Sequence, residues 1–356
     1  MVDLDNREEI KKLDQSNMLS SIELLDKQCQ EVWRQGEKLN LPKSYARVKN
    51  IVVAGLGGSA LGAQVIDAVF SRELTVPLDI VNDYHLPGYV DENTLVVLSS
   101  YSGSTEEVLN AAAEATKAKA KSLIIASGGE LAKIAKQKKI PALIFNPISN
   151  PSGSPRMGLG YSIFGQISLL KKSGLLSLAE ADVDKTVQVI QKYQQIFGVD
   201  SPAQNNQAKK LAKDLLNRAV FYVGAEHLVG SAHVAANQFN ENAKVFGSFF
   251  AMPELNHHLL EGLRFPATNK ENLFFILVES NLYDKRVQKR FAILKEILKR
   301  QEITYSSYEL KEKTKLSQAC EMLVFGSCVS FYLAMLEGID PTPIPQVDYF
   351  KEAMRS

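Results

Sequence analysis

Three cysteines, one tryptophan, five histidines and a net charge of only +1 in 356 residues set the first limits on this chain. Cys29, Cys320 and Cys328 are odd in number and show no metal-ligand spacing, which excludes a disulfide framework or a cysteine-based zinc site. Their expected role is packing in a reducing compartment. The near-balance of charge argues against nucleic acid as a partner, because phosphate neutralisation needs a basic stripe. Lysines gather at 117–121, 133–139 and 285–299, but acids and apolar residues interleave with them, as on solvated helix faces. Residues 1–12 are charged and lack the apolar core of a signal peptide. No run approaches the ~20 apolar residues of a membrane span. The expectation is a cytoplasmic protein with no membrane or nucleic-acid partner.

What is present is ordinary globular material, 45% hydrophobic and 23% charged, in a chain long enough for two domains. Residues 13–39 carry Leu19, Ile22, Leu25 and Trp33 broadly on one helical face. Strand and helix patterns then alternate: strands at 50–54, 78–82, 95–99, 121–126 and 142–145, with helices at 59–70, 105–117 and 130–138. Continuous apolar strands alternating with helices predict a parallel sheet covered on both faces. Residues 146–155, dense in Pro, Ser, Asn and Gly, end this unit. Helices at 157–176 and 182–197 connect it to a second alternation, with strands at 219–224, 273–279 and 304–308 and helices at 229–244, 285–301 and 315–338. The fold class is therefore α/β, with two doubly wound parallel-sheet domains and helices on both faces. The divisions fall at 1–155 with its leading helix, 156–200 as connecting helices, and 201–356 with a terminal tail.

Two strand-to-helix turns stand out. Ser100-Tyr101-Ser102-Gly103-Ser104-Thr105 supplies hydroxyls, a permissive glycine and the free N–H groups of a helix start, which together suit a phosphate; serine-rich helix capping is the alternative. Gly55-Leu56-Gly57-Gly58-Ser59-Ala60 is a second turn of similar kind, and two such turns at neighbouring strand ends would share one crevice. Gly55-x-Gly57 with Ala60 in sixth place matches part of a dinucleotide fingerprint. However, Asp79 and Asp83 flank a mixed segment rather than a clear strand end, so no cofactor is expected.

Further along, Asn240-Glu241-Asn242-Ala243-Lys244 and Pro253-Glu254-Leu255-Asn256-His257-His258 place acid and imidazole groups between apolar elements. Such groups can exchange protons near neutral pH, or be a surface acid and a capping histidine. His257, His258 and Glu261 could ligate zinc, but adjacent histidines do not share a helix face, and no metal is expected. Arg156, just after the closing loop, suits an enolate, carboxylate or phosphate, or is a lone surface arginine. Three prolines between Asp340 and Pro345 make a stiff segment able to carry a short last helix back to a fixed site, or a simple ordered tail.

The ordered set Gly55–Ser59, Ser100–Thr105, Pro155-Arg156, Asn240–Lys244, Glu254–His257 and Asp340–Lys351 resembles the bifunctional phosphoglucose/phosphomannose isomerases, a branch of the sugar isomerase (SIS) superfamily. The resemblance spans nearly the whole chain and implies two SIS-type domains acting on a hexose 6-phosphate. It implies that Gly58, Ser59, Ser100, Ser102 and Thr105 hold the phosphate and that Glu241 is the base moving a proton between C1 and C2. By the same resemblance Arg156 stabilises the enediolate, His257 with Lys351 opens the sugar ring, and no metal or cofactor takes part. It also implies a homodimer in which His257 acts in trans, and a polar side chain near the tail, Thr342 or Gln346, that governs mannose activity. The sequence departs from the family pattern at Ala60-Leu61, Ser104, Met157-Gly158 and His258. A phosphosugar-binding SIS module without catalysis, or an amino sugar phosphate isomerase, are the alternatives.

Overall fold

The computed structural model describes residues 2–354; Met1 and the final two residues, which bound the expected domains, lie outside the described residues. Chain order begins with α1 (Arg7–Leu13), α2 (Met18–Glu23) and α3 (Leu25–Glu37). One helix was expected over 13–39. It is broken because the Asp14 carboxylate accepts the backbone N–H groups of Met18 and Leu19, and Asn17 turns the chain through a left-handed conformation.

The first sheet comprises β1 (Asn50–Ala54), β2 (Leu78–Val81), β3 (Thr94–Ser100), β4 (Lys121–Ala126) and β5 (Ala142–Ile144), interleaved with α4 (Gly58–Phe70), α5 (Glu106–Lys117) and α6 (Gly129–Lys138). All strands are parallel, in the order β2-β1-β3-β4-β5. Successive strand side chains point to opposite faces, which explains the two-sided apolar run. Val52, Val96, Leu98 and Ile124 pack with Val108, Ala112 and Leu131 of α5 and α6. Ile51, Val53, Leu95, Val97 and Leu123 join the larger core on the other face. Strand order reverses between β1 and β3, so the turns after these strands open onto one crevice.

Helices α7 (Leu159–Lys172), α8 (Glu180–Phe197) and α9 (Gln207–Asp214) lead to the second sheet. It contains β6 (Ala219–Ala225), β7 (Gly247–Met252), β8 (Leu273–Ser280) and β9 (Thr304–Leu310), all parallel in the order β7-β6-β8-β9. The helix expected over 229–244 is divided: α10 (Val229–Gln238) passes into a π-helical turn over Phe239–Ala243. Short helices α11 (Leu255–His258) and α12 (Asn269–Asn272) follow β7, and α13 (Lys285–Arg300), α14 (Lys315–Leu336) and α15 (Pro345–Ala353) complete the chain.

Helix α14 corrects the expectation that no segment is apolar enough to span a membrane. By length and composition it qualifies, with a mean hydropathy of 1.7 over its most apolar window, yet every residue from Leu316 to Leu336 is buried within the protein. It packs on α8, α9 and α10, while α10 packs on α4 of the first domain. One core therefore runs through both domains. A helix apolar on all sides is what such an interior position requires.

Candidate active site

The first turn delivers Gly58 to the start of α4, where a side chain has no room. A Cβ there would lie 2.7 Å from the Pro155 carbonyl carbon and 2.8 Å from the Arg156 nitrogen. This close approach fixes the Pro155-Arg156 backbone against the turn. Ser59 follows, nearly buried, and its hydroxyl accepts the Tyr101 N–H at 2.7 Å, which leaves the hydroxyl proton for a ligand. The bond joins the two turns directly.

In the second turn the buried Ser100 Oγ accepts the Gly103 N–H at 3.0 Å and lies 2.7 Å from Thr105 Oγ1. Thr105 sits at the N-cap of α5, yet its side chain makes no capping bond, so simple helix capping does not account for this cluster. Gly103 adopts a positive φ of 70°, and a Cβ there would fall 2.0 Å from the Gly128 carbonyl oxygen. The turn is braced from behind by Ser127, whose N–H and hydroxyl both donate to the Tyr101 carbonyl at 2.9 and 2.7 Å. Ser102 is exposed and its Oγ accepts the Ser104 N–H at 3.3 Å. Gly58, Ser59, Ser100, Ser102 and Thr105 thus line connected turns at the switch point of the sheet. Asp79, the acid sought for a ribose, accepts a hydrogen bond from the Tyr89 hydroxyl.

Arg156 is only 2% exposed, which excludes a lone surface arginine. Its Nε donates to Asn242 Oδ1 at 2.6 Å, its Nη1 to Glu241 Oε2 at 3.2 Å, and its Nη2 to the carbonyls of Pro341 and Thr342, each at 2.9 Å. Burial pulls its pKa down, against the opposing charges of Glu241 and Asp348. The π-helical turn presents Glu241 and Asn242 side by side to this guanidinium, a register that a continuing α-helix would change. Asn242 is in turn held by Ser330 of α14 at 3.1 Å, and the Arg156 carbonyl accepts from Gln238 at 3.2 Å. Lys244, at the end of the turn, donates to the Glu241 and Pro341 carbonyls at 2.8 Å each. Burial, reinforced by the Arg156 charge, presses its ammonium down to about 8.

These partners of Arg156 escaped the sequence reading. Asn242, Lys244 and Pro341 lay inside motifs already noted, but their joint action depends on a contact between segments 185 residues apart. Gln238, Ser330 and Ser327, whose hydroxyl donates to Gln238 Oε1 at 3.0 Å, are polar residues in largely apolar helices, a signal legible only as an interruption.

Among the described residues neither His257 nor Lys351 makes a hydrogen bond or ion pair to this cluster within one chain. His257 is exposed on α11 and Lys351 is exposed on α15, and neither side chain has a hydrogen-bond partner among the described residues. His258 is exposed beside it, its ring 6.2 Å from that of Phe250. Among the described residues no three His, Cys, Asp or Glu side chains converge as metal ligands, and His257, His258 and Glu261 form no such group. A cleft of about 500 Å³ opens elsewhere, between α1, α3 and α8, but its Arg7, Glu23 and Asp200 are already paired with one another.

Residues 44–144 match the SIS domain family, and residues 204–354 match the bacterial phospho-glucose isomerase C-terminal SIS domain. The class defined by this fold and its paired turns is thus that of two-domain SIS proteins. A bifunctional phosphoglucose/phosphomannose isomerase of Caldicellulosiruptor bescii is 31% identical over 343 residues, covering 95% of this chain and 98% of that protein. Another from Thermoplasma volcanium is 27% identical, covering 89% and 95%. A hypothetical protein of Thermus thermophilus shares the fold with a TM-score of 0.73 at 19% identity, over 98% of this chain and 93% of that one. The chain belongs to the bifunctional phosphoglucose/phosphomannose isomerase family.

Proposed function

We propose that the protein interconverts fructose 6-phosphate with glucose 6-phosphate and mannose 6-phosphate through a cis-enediol, with no metal or cofactor. The observation that carries this reading is the Glu241 carboxylate held 3.2 Å from a buried Arg156, whose own backbone is fixed against the phosphate-type turn at Gly58. The hydroxyls of Ser59, Ser100, Ser102 and Thr105, with the N–H groups at Gly58 and the start of α5, take the phosphate and supply remote binding energy for orientation. Glu241 removes the C1 proton of the open-chain ketose. The electron pair forms the C1–C2 double bond, and the C2 oxygen gains negative charge beside Arg156. The proton returns to C2 while the O1 proton passes to the C2 oxygen, leaving O1 as the aldehyde oxygen and O2 as a hydroxyl. Protonation on one face of C2 gives the glucose epimer and on the other the mannose epimer. Proton transfer of this kind supplies typically 10²- to 10⁴-fold, and the guanidinium adds the charge stabilisation that a metal provides elsewhere.

Ring opening needs a proton donor at the ring oxygen O5 and an acceptor at the anomeric hydroxyl, O1 in the aldoses and O2 in the ketose, assigned to His257 and Lys351. His257 lies on the exposed α11, and the surroundings favour a second copy of the chain as its route to the site, whereas Lys351 on α15 follows the segment that Arg156 holds within the same chain. β7 is an edge strand whose Phe249 and Phe250 are only half-buried, Phe246 beside it is 70% exposed, and α15 leaves Tyr349 and Phe350 at 71% and 62%. The reading is a cytoplasmic homodimer with His257 contributed in trans and the chain divided at 155/156 and 200/201. Thr342, whose Oγ1 is buried and unpartnered beside Arg156, fits the mannose-governing role better than the exposed Gln346.

The test is an assay of purified protein with chelator present on fructose 6-phosphate, resolving the two aldoses over time. Both products are expected. Glucose 6-phosphate alone would restrict the activity to one epimer, and phosphosugar binding without turnover would refute the isomerase and leave a binding module.

A further inference from the structure

Beyond α14 the chain turns at Gly338 and runs through Asp340, Pro341 and Thr342 before α15. Helix α15 contains no buried residue, so apolar packing does not hold it in place. Side-chain hydrogen bonds from Arg156 and Lys244 gather on the carbonyls of residues 340–342. Arg156 Nη2 donates to Pro341 and Thr342, and Lys244 Nζ donates to Pro341 at 2.8 Å with a longer contact to Asp340 at 3.5 Å. The same ammonium reaches back to the Glu241 carbonyl at 2.8 Å and the Asn242 carbonyl at 3.3 Å. Lys244 therefore bridges the turn bearing Glu241 and the tail bearing Lys351, while Arg156 grips the same Pro341 carbonyl from the other side.

The local backbone is shaped for this bridge. Lys244 adopts a left-handed conformation with φ 54°, and its N–H closes the π-helical turn on the Phe239 carbonyl. A lysine gains nothing from that conformation, which glycine or asparagine would adopt at less cost. The exchange is sensible if the position needs a long cation. Although much of the side chain is exposed, its ammonium is dry enough to be pressed toward neutrality by burial and by Arg156, with Asp340 and Glu241 pulling the other way.

We propose that Lys244 is a positioning residue that locks residues 340–342 onto the Glu241 turn and thereby sets the place of Lys351 relative to the base. This rests on the reading of Glu241 as the base. Lys244 does not touch the reacting atoms; it acts through two backbone segments. Its removal leaves the phosphate turns intact, so the loss falls on turnover rather than on substrate affinity.

The test uses the full chain as wild type, Lys244→Met and Lys244→Arg, with amide hydrogen exchange over 339–353 and steady-state kinetics on fructose 6-phosphate. Loss of the charged bonds in Lys244→Met is expected to speed tail exchange and lower kcat by roughly tenfold or more, with KM within about threefold. Lys244→Arg keeps the cation and is expected to restore most of both. A tail as protected in Lys244→Met as in wild type overturns the proposal, as does a mobile tail with unchanged kcat. If the wild type does not turn over, the base assignment fails, while tail exchange still decides whether Lys244 is the lock.

Discussion

Gly58→Ala adds one methyl group where helix propensity and site geometry oppose each other. The helix-interior preference for alanine over glycine, ~1 kcal/mol, is an upper bound on the gain here because Gly58 is the first residue of α4. The new Cβ, however, would lie 2.7 to 2.8 Å from three backbone atoms of Pro155 and Arg156, none of which can rotate away as a side-chain tip would. Restoring ordinary contact near 3.5 Å moves that backbone by about 0.8 Å. Overpacking on this scale costs typically 1–3 kcal/mol, so after a propensity gain of at most ~1 kcal/mol the net destabilisation is roughly 0–3 kcal/mol. The effect on chemistry is larger, because Arg156 carries the shift directly to its 3.2 Å contact with Glu241. A misplacement near 1 Å costs on the order of 10²-fold in rate. The expected result is a fall of about 10- to 100-fold in kcat/KM for isomerisation of fructose 6-phosphate, with unfolding free energy lowered by no more than ~3 kcal/mol. Activity within about twofold of wild type would refute the argument that this contact registers Arg156 against the Gly58 turn.

Asn242→Ala leaves the buried Arg156 Nε–H without its acceptor and frees Ser330 Oγ; an unfolding free energy lower by roughly 1.5–3 kcal/mol is expected in denaturant titration, and a change under ~0.5 kcal/mol would show that the bond is dispensable. Acid acts through His227 and His233, which burial holds below the ordinary histidine value of 6.5. As pH falls through that value the unfolded chain binds protons that the folded chain declines, so stability present above it is lost on acidification. Thermal midpoints from pH 7.5 to 5.5 are expected to fall less steeply for His227→Gln than for wild type, and equal slopes would remove His227 from the account.

Much of the first domain was legible because its strands are local statements. β1 and β4 end where apolar runs meet glycine or serine, and the turns at Gly58 and Ser100 announce themselves by composition. β7 went unread because an edge strand with four half-exposed residues shows neither alternation nor a continuous buried run. α9 went unread beside its polar Gln-Asn stretch, although Asn206 caps it. The π-helical turn has no periodicity of its own over five residues, and its partners on α14 and the tail fix it. Glu241 and Arg156 were found as residues, but that they touch follows only from how the two domains pack. Among the described residues His257 and Lys351 make no hydrogen bond or ion pair to them within one chain.

The most direct test of the central claim is deuterium incorporation at C2 of the aldose products when fructose 6-phosphate is incubated in heavy water with chelator, comparing wild type with Glu241→Gln. Incorporation by wild type and its loss in Glu241→Gln, with phosphosugar binding retained, is the expected result. Undiminished incorporation by Glu241→Gln would show that another group moves the proton.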